Sequence, residues 1–84
     1  MRRTFVGMER HITHLEAWQD FLAWLKTPQG TQRWQSLTRL ERNYISKAEH
    51  ARARGALGYA RVKTILERVA PHRYQFRQTV VVVQ

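Results

Sequence analysis

Residues 46–70, SKAEHARARGALGYARVKTILERVA, decide how the rest of the chain is read. Ser46 followed three residues later by Glu49 has the form of a capping box. In that motif each side chain satisfies the other residue's free backbone N–H at a helix start. Pro71 ends the stretch, because the residue before a proline is displaced from helical dihedrals. Ala48, Ala51, Ala53 and Ala56 are strong helix formers and no proline intervenes, so one long helix is predicted over 46–70. At about 100° per residue, Ala48, Ala51, Gly55, Tyr59, Val62, Leu66 and Val69 fall within roughly 80° of one another. This is the expected core face, with Gly55 and Gly58 read as close-packing positions. Lys47, Arg54, Arg61 and Arg68 recur every seven residues and drift only ~20° per heptad. They form a basic row, joined by His50, with Leu57 and Ile65 projecting beside it.

Upstream, Thr13 and Glu16 repeat the capping-box pattern and open a helix running to about Lys26. Its apolar residues, from Ile12 to Leu25, spread over roughly 240° of the helix wheel. One neighbouring helix cannot cover so wide a surface, so either two helices of the same chain flank it or part of it meets another chain. Ile12 and Trp24 sit at its opposite edges, and at least one of them, Trp24 above all, is an interface candidate. Thr27-Pro28 reads as N-cap plus first helical residue, hence a very tight turn into a second helix over about 28–44. Gly30 weakens the start of that helix without breaking it. Trp34, Leu37, Leu40 and Tyr44 supply its apolar stripe. Asn43–Ser46 is the expected turn into the third helix, with a merger of the second and third helices as the alternative.

Downstream of Pro71 the period changes from helical to alternating. Tyr74, Phe76, Gln78, Val80 and Val82 alternate with Gln75, Arg77, Thr79, Val81 and Val83, a β-branched and aromatic pattern that predicts a strand over about 73–83. Thr4-Phe5-Val6 is too short to pair with all of it, and a two-stranded ribbon is marginal in water. Thr79–Val83 is apolar on both faces. The expectation is therefore a strand completed by another chain, docking through Tyr74, Phe76, Val80, Val81, Val82 and Val83. The predicted class is mainly α: a helical hairpin or three-helix unit over 1–72, with a C-terminal strand over 73–84 that pairs with a partner.

Eighty-four residues, 43% hydrophobic and 11% aromatic, suit one small globular domain. With no cysteine there is neither a disulfide framework nor a thiolate metal site. MRRTFVGMER lacks the apolar core of a signal peptide, and no run approaches a membrane span. The net charge is +9. Residues 46–84 carry eight Lys/Arg against two acids, so most of the excess lies in the C-terminal half. Such an excess favours anionic partners. His11 and His14 are three apart, but zinc needs three or four ligands, and His50 and His72 are distant. Glu16 and Glu49 have capping explanations, Ser36 and Ser46 lack a His/Asp arrangement, and no phosphate loop follows a strand. Neither a cofactor nor an enzymatic activity is expected. Nor does a helix-turn-helix or zinc-finger pattern emerge.

The run Trp18-x-x-Phe21-Leu22-x-x-Leu25-x-Thr27-Pro28-x-Gly30, then Leu37-x-x-Leu40-Glu41, then Ala53-Arg54-Gly55 leading into Leu66-Glu67, resembles small helical proteins encoded among the head and packaging genes of tailed bacteriophages. The resemblance implies a non-enzymatic virion or assembly role, located in the particle or the host cytoplasm, with other virion proteins or copies of the chain as partners. It transfers no functional residues. Lys47, Arg54, Arg61, Arg68, Leu57, Ile65 and Trp24 are the expected partner-binding residues, since a surface mixing arginine with aliphatics suits a protein interface. The alternatives are a small basic DNA- or RNA-binding protein using the same row, and an inhibitor of a host protein acting by strand addition.

Overall fold

A computed structural model describes residues 9–83. The element order is β1 (Glu9–Ile12), α1 (His14–Trp24), α2 (Pro28–Ser36), α3 (Arg39–Ala53), α4 (Tyr59–Val69), β2 (Tyr74–Phe76) and β3 (Val80–Val83). The chain is mainly helical with a small antiparallel sheet of order β1-β3-β2.

The Thr13 capping box is present: its hydroxyl accepts from the Glu16 N–H at 3.1 Å, and the Glu16 carboxylate accepts from the Thr13 N–H at 2.9 Å. The corner between α1 and α2 is as tight as Thr27-Pro28 predicts. One hydroxyl serves both helices: Thr27 donates to the Trp24 carbonyl at 2.6 Å and accepts from the Gly30 N–H at 3.1 Å. Gly30 does more than weaken a helix start. A Cβ there would lie 1.9 Å from the Trp24 carbonyl oxygen and 2.6 Å from Leu25 Cα, so only glycine lets α2 fold back against the end of α1.

Three expectations about the middle of the chain are overturned. The helix expected over 28–44 stops at Ser36, and Leu37 is extended, its side chain buried. A further capping box, Thr38 with Glu41, then opens α3. No turn interrupts Asn43–Ser46, which lies inside α3, so Ser46 caps nothing. Glu49, freed from that role, accepts from the Trp18 indole at 2.9 Å and pairs with Arg52 at 2.7 Å. Third, the helix expected over 46–70 is broken at Arg54–Gly58. Gly55 has φ +72, the Ala56 N–H donates to the Ala51 carbonyl at 2.8 Å, and the Gly55 N–H donates to the Arg52 carbonyl at 2.9 Å. These are the paired bonds of a Schellman ending, which satisfies the last carbonyls of a helix through a left-handed residue.

The strand expected over 73–83 is a hairpin. Arg77–Thr79 turns the chain, pairing Tyr74 with Val82 and Phe76 with Val80. On its other side β3 pairs with β1, Glu9 opposite Val83 and Ile12 opposite Val80. The valine-rich strand is thus the centre of the sheet, with both edges occupied within the chain, and it is not a free edge for a partner. β1, ERHI, is polar and lacks a β-branched pattern, so the sequence offers only Thr4–Val6 as a pairing partner within the chain. The proposed Thr4–Val6 segment lies outside the described residues.

Burial alternates in β2, where Tyr74 is buried and Gln75 exposed, but not in β3, where Val80, Val81 and Val82 are all fully buried, as a central strand covered on both faces is. Tyr74, Val80 and Val82 are buried in the same cluster as Ala17, Trp18 and Phe21 of α1 and Val62, Leu66 and Val69 of α4, with Phe76 packed against it. Each fully buried large side chain contributes ~1.5–3 kcal/mol of transfer free energy. The broad apolar surface of α1 is covered from several sides: Ile12, Leu22, Trp24 and Leu25 pack half-buried on the core, and of this group only Leu15, 45% exposed, faces outward. Asp20 on α1 ties the sheet to the helices. It accepts from the Tyr74 hydroxyl, from Arg73 Nε at 3.1 Å and from Arg10 at 3.2 Å. Burial pushes the Asp20 carboxyl up, but the Tyr74 and Arg73 hydrogen bonds outweigh it and hold the group below its ordinary range.

Candidate nucleic-acid interface

The break at Gly55 converts the expected rod into two helices joined by the five-residue turn Arg54–Gly58, a helix–turn–helix in connectivity. Leu57 anchors the turn in the core, and His14 of α1 holds it from outside, its Nε2–H donating to the Leu57 carbonyl at 3.1 Å. The His14 ring meets Tyr59 edge-on at 6.0 Å. At the other end of the same turn of α4, the Tyr59 hydroxyl donates to the Arg77 carbonyl at 3.0 Å, tying α4 to the β-hairpin. His11 instead sits beside Thr79 at 3.2 Å. The two histidines therefore have separate tasks, and among the described residues no group of three or more His, Cys, Asp or Glu could hold a metal ion.

α4 buries Val62, Ile65, Leu66 and Val69 and turns Ala60, Arg61, Thr64, Glu67 and Arg68 to solvent. Two residues expected in the interface are thereby corrected. Ile65 and Leu57 are only 6% and 5% exposed and belong to the core, because the break rotates α4 relative to the continuous wheel. Leu57 thereby leaves the expected interface, whereas Ile65, though largely buried, still lines the floor of a groove beside Tyr44. Trp24 is also half-buried, stacked on Phe21 at 6.2 Å with the Arg73 guanidinium 5.9 Å from its ring centre.

The basic row fares differently. It does not run down one helix, yet its members regroup. Lys47 from α3 and Arg61 and Arg68 from α4 line one open groove of about 690 Å³, with Tyr44 and Thr64 on its walls. Arg54 stands exposed at the turn, and His50 is exposed on α3.

Which of these cations is available depends on the acids. The chain has six, all among the described residues. Glu9 pairs with Arg77 at 3.5 Å, Asp20 with Arg10 and Arg73, Glu41 with Arg68 at 2.9 Å, Glu49 with Arg52, and Glu67 with Lys63 at 3.0 Å. Glu16 is used in capping α1. The Thr38 backbone N–H and the Arg68 guanidinium hold the Glu41 carboxyl down to about 2. Arg52 and the Trp18 indole do the same for Glu49, also to about 2. Arg33 and Arg42 are spent on helix ends: Arg33 Nε donates to the Val69 carbonyl at 2.8 Å, and Arg42 Nη2 to the Trp34 carbonyl at 2.9 Å.

Among the described residues, Lys26, Arg39, Lys47, Arg54 and Arg61 remain without an acid partner or a carbonyl. Four of the five lie on α3, the turn and α4: Arg39 at the start of α3, about 12 Å along the helix from Lys47, then Lys47 past its middle, Arg54 in the turn and Arg61 early in α4. Composition alone could not separate Arg61 from Arg68, because the Arg68–Glu41 pair joins residues 27 apart in sequence. No protein-family model, curated protein or solved structure matches this chain.

Proposed function

We propose that this chain is a non-enzymatic duplex-DNA-binding protein that docks through α3, the Gly55 turn and the first half of α4. The observation that carries the reading is the charge ledger. Every acid is committed elsewhere, which leaves Lys47, Arg54 and Arg61 uncompensated on one helix–turn–helix. Uncompensated surface cations release counterions when they meet phosphates, and this term supplies most of non-specific DNA affinity. In a helix–turn–helix the first helix crosses the backbone while the N-terminal part of the second meets the major groove. The cations here are distributed in that way. The competing reading, assembly by docking the C-terminal strand on a neighbour, needed a strand left open, and β3 has both edges filled.

Fluorescence anisotropy with a random-sequence 20-base-pair duplex at several salt concentrations tests the reading. On a random sequence, where Lys47, Arg54 and Arg61 all meet phosphates, a log–log slope of about −2.7 is expected, each contact contributing about −0.9. Lys47→Ala and Arg54→Ala are each expected to flatten the slope by about one. Absence of duplex binding, or binding indifferent to salt, would remove the proposal and return the chain to a protein-assembly role.

A further inference from the structure

The solvent face of α4 is not uniformly basic, and its arrangement carries more than phosphate contact. Lys63 is held by Glu67 at 3.0 Å and Arg68 by Glu41 at 2.9 Å. Arg61 is therefore the one cation of α4 that forms no ion pair, and it stands in the N-terminal half of the helix. Its neighbours on that face are Ala60 and Thr64. Ala60 is small and lets the helix axis come close to a surface. The Thr64 hydroxyl is already used, donating to the Ala60 carbonyl at 3.0 Å, which leaves its methyl as the part free for contact.

From this we infer that Arg61 and Thr64 read sequence in the major groove of B-form DNA, Arg61 on a guanine and the Thr64 methyl on the 5-methyl of a neighbouring thymine. The inference rests on the DNA-binding reading above and adds to it the bases that are recognised. Arginine donates two hydrogen bonds to guanine O6 and N7, and threonine's methyl suits the thymine methyl. The spacing fits: three residues of helix rise about 4.5 Å, a little over one base-pair step of about 3.4 Å. A-form RNA is excluded as an equivalent ligand, because its major groove is too deep and narrow for a helix face. Lys47 and Arg54, flanking that face on α3 and the turn, fall to the phosphates.

The experiment is enrichment of bound duplexes from a randomised library by the full chain, followed by affinity measurement on the enriched site. Enrichment of a G·C pair beside a T·A pair is expected. On that site Arg61→Ala reduces the preference for guanine by roughly 5- to 100-fold. Replacing the thymine by deoxyuridine, which removes only the methyl, weakens wild-type binding about fourfold and leaves Thr64→Ser binding unchanged. Lys47→Ala weakens all sequences alike. Circular dichroism of each variant checks that the helices are retained. Tight, salt-dependent binding with no enriched bases, or equal sequence effects from Arg61→Ala and Lys47→Ala, overturns base reading while leaving DNA binding intact. Failure to bind any duplex overturns both.

Discussion

Gly30 and Gly55 each sit where one helix gives way to another, and they are needed for opposite reasons. At Gly30 the dihedrals are ordinary and space is lacking, since the backbone of Trp24 and Leu25 occupies the place of a side chain. At Gly55 space is plentiful and the dihedrals are the constraint, with φ +72 and nothing within 4 Å of a would-be Cβ. The first glycine holds a corner of the core together. The second separates α3 from α4 and thereby gives the molecule its basic helix–turn–helix. A packing constraint of the first kind admits no compromise, whereas a conformational one costs only what a strained residue costs.

The sharpest way to break this contrast is alanine at both sites. Gly30→Ala is expected to lose more than about 4 kcal/mol, because backbone atoms cannot give way as a flexible side chain can. Denaturant unfolding followed by circular dichroism should find the variant largely unfolded. Gly55→Ala is expected to lose about 1–2 kcal/mol, the cost of a left-handed conformation for a residue with a Cβ. Its sign is the informative part. Were 46–70 one helix, the same change would instead gain about 1 kcal/mol from helix propensity. The smallest effect comes from the two competing helix starts. Thr38→Ala should lose about 1 kcal/mol as a true N-cap, while Ser46→Ala, exposed and mid-helix, should stay within about 0.5 kcal/mol of wild type. Equal losses at both would return the boundary to where Ser46 and Glu49 suggested it.

These particular residues show what was legible in the sequence. Thr13, Glu16, Thr27 and Pro28 mark helix ends through side chains that act on their own backbone within three residues, and both boundaries came out as read. Thr38 with Glu41 is the same signal, but the Trp34, Leu37, Leu40 and Tyr44 stripe runs through it and made a continuous helix look better. Leu40 and Tyr44 are in fact 55% and 46% exposed, so half of that stripe buries little. Arg54-Gly55-Ala56-Leu57-Gly58 held the clue to the turn: two glycines three apart, one able to end a helix and one to begin the next. The alanine-rich surroundings fit a helix equally well, and only tertiary burial of Leu57 decides between them. The basic row was visible as a set of residues. Which of its members keep their charge free was not, because that depends on Glu41 reaching Arg68 across two helices.

The pairing of β1 with β3 joins residues 9–12 to residues 80–83, spanning nearly all of the described chain. Such a contact forms only after a very long loop has closed, and closure entropy has to be met before the pairing repays it. The contacts of α3 with α4, and of the α1–α2 corner, need only short loops. Helical elements should therefore assemble early and the sheet late, so that the valine-rich end is last to find its place. During that interval an apolar β-prone segment is open to solvent and to other chains, which makes synthesis and refolding, rather than the finished fold, the stage at which this molecule is most prone to self-association.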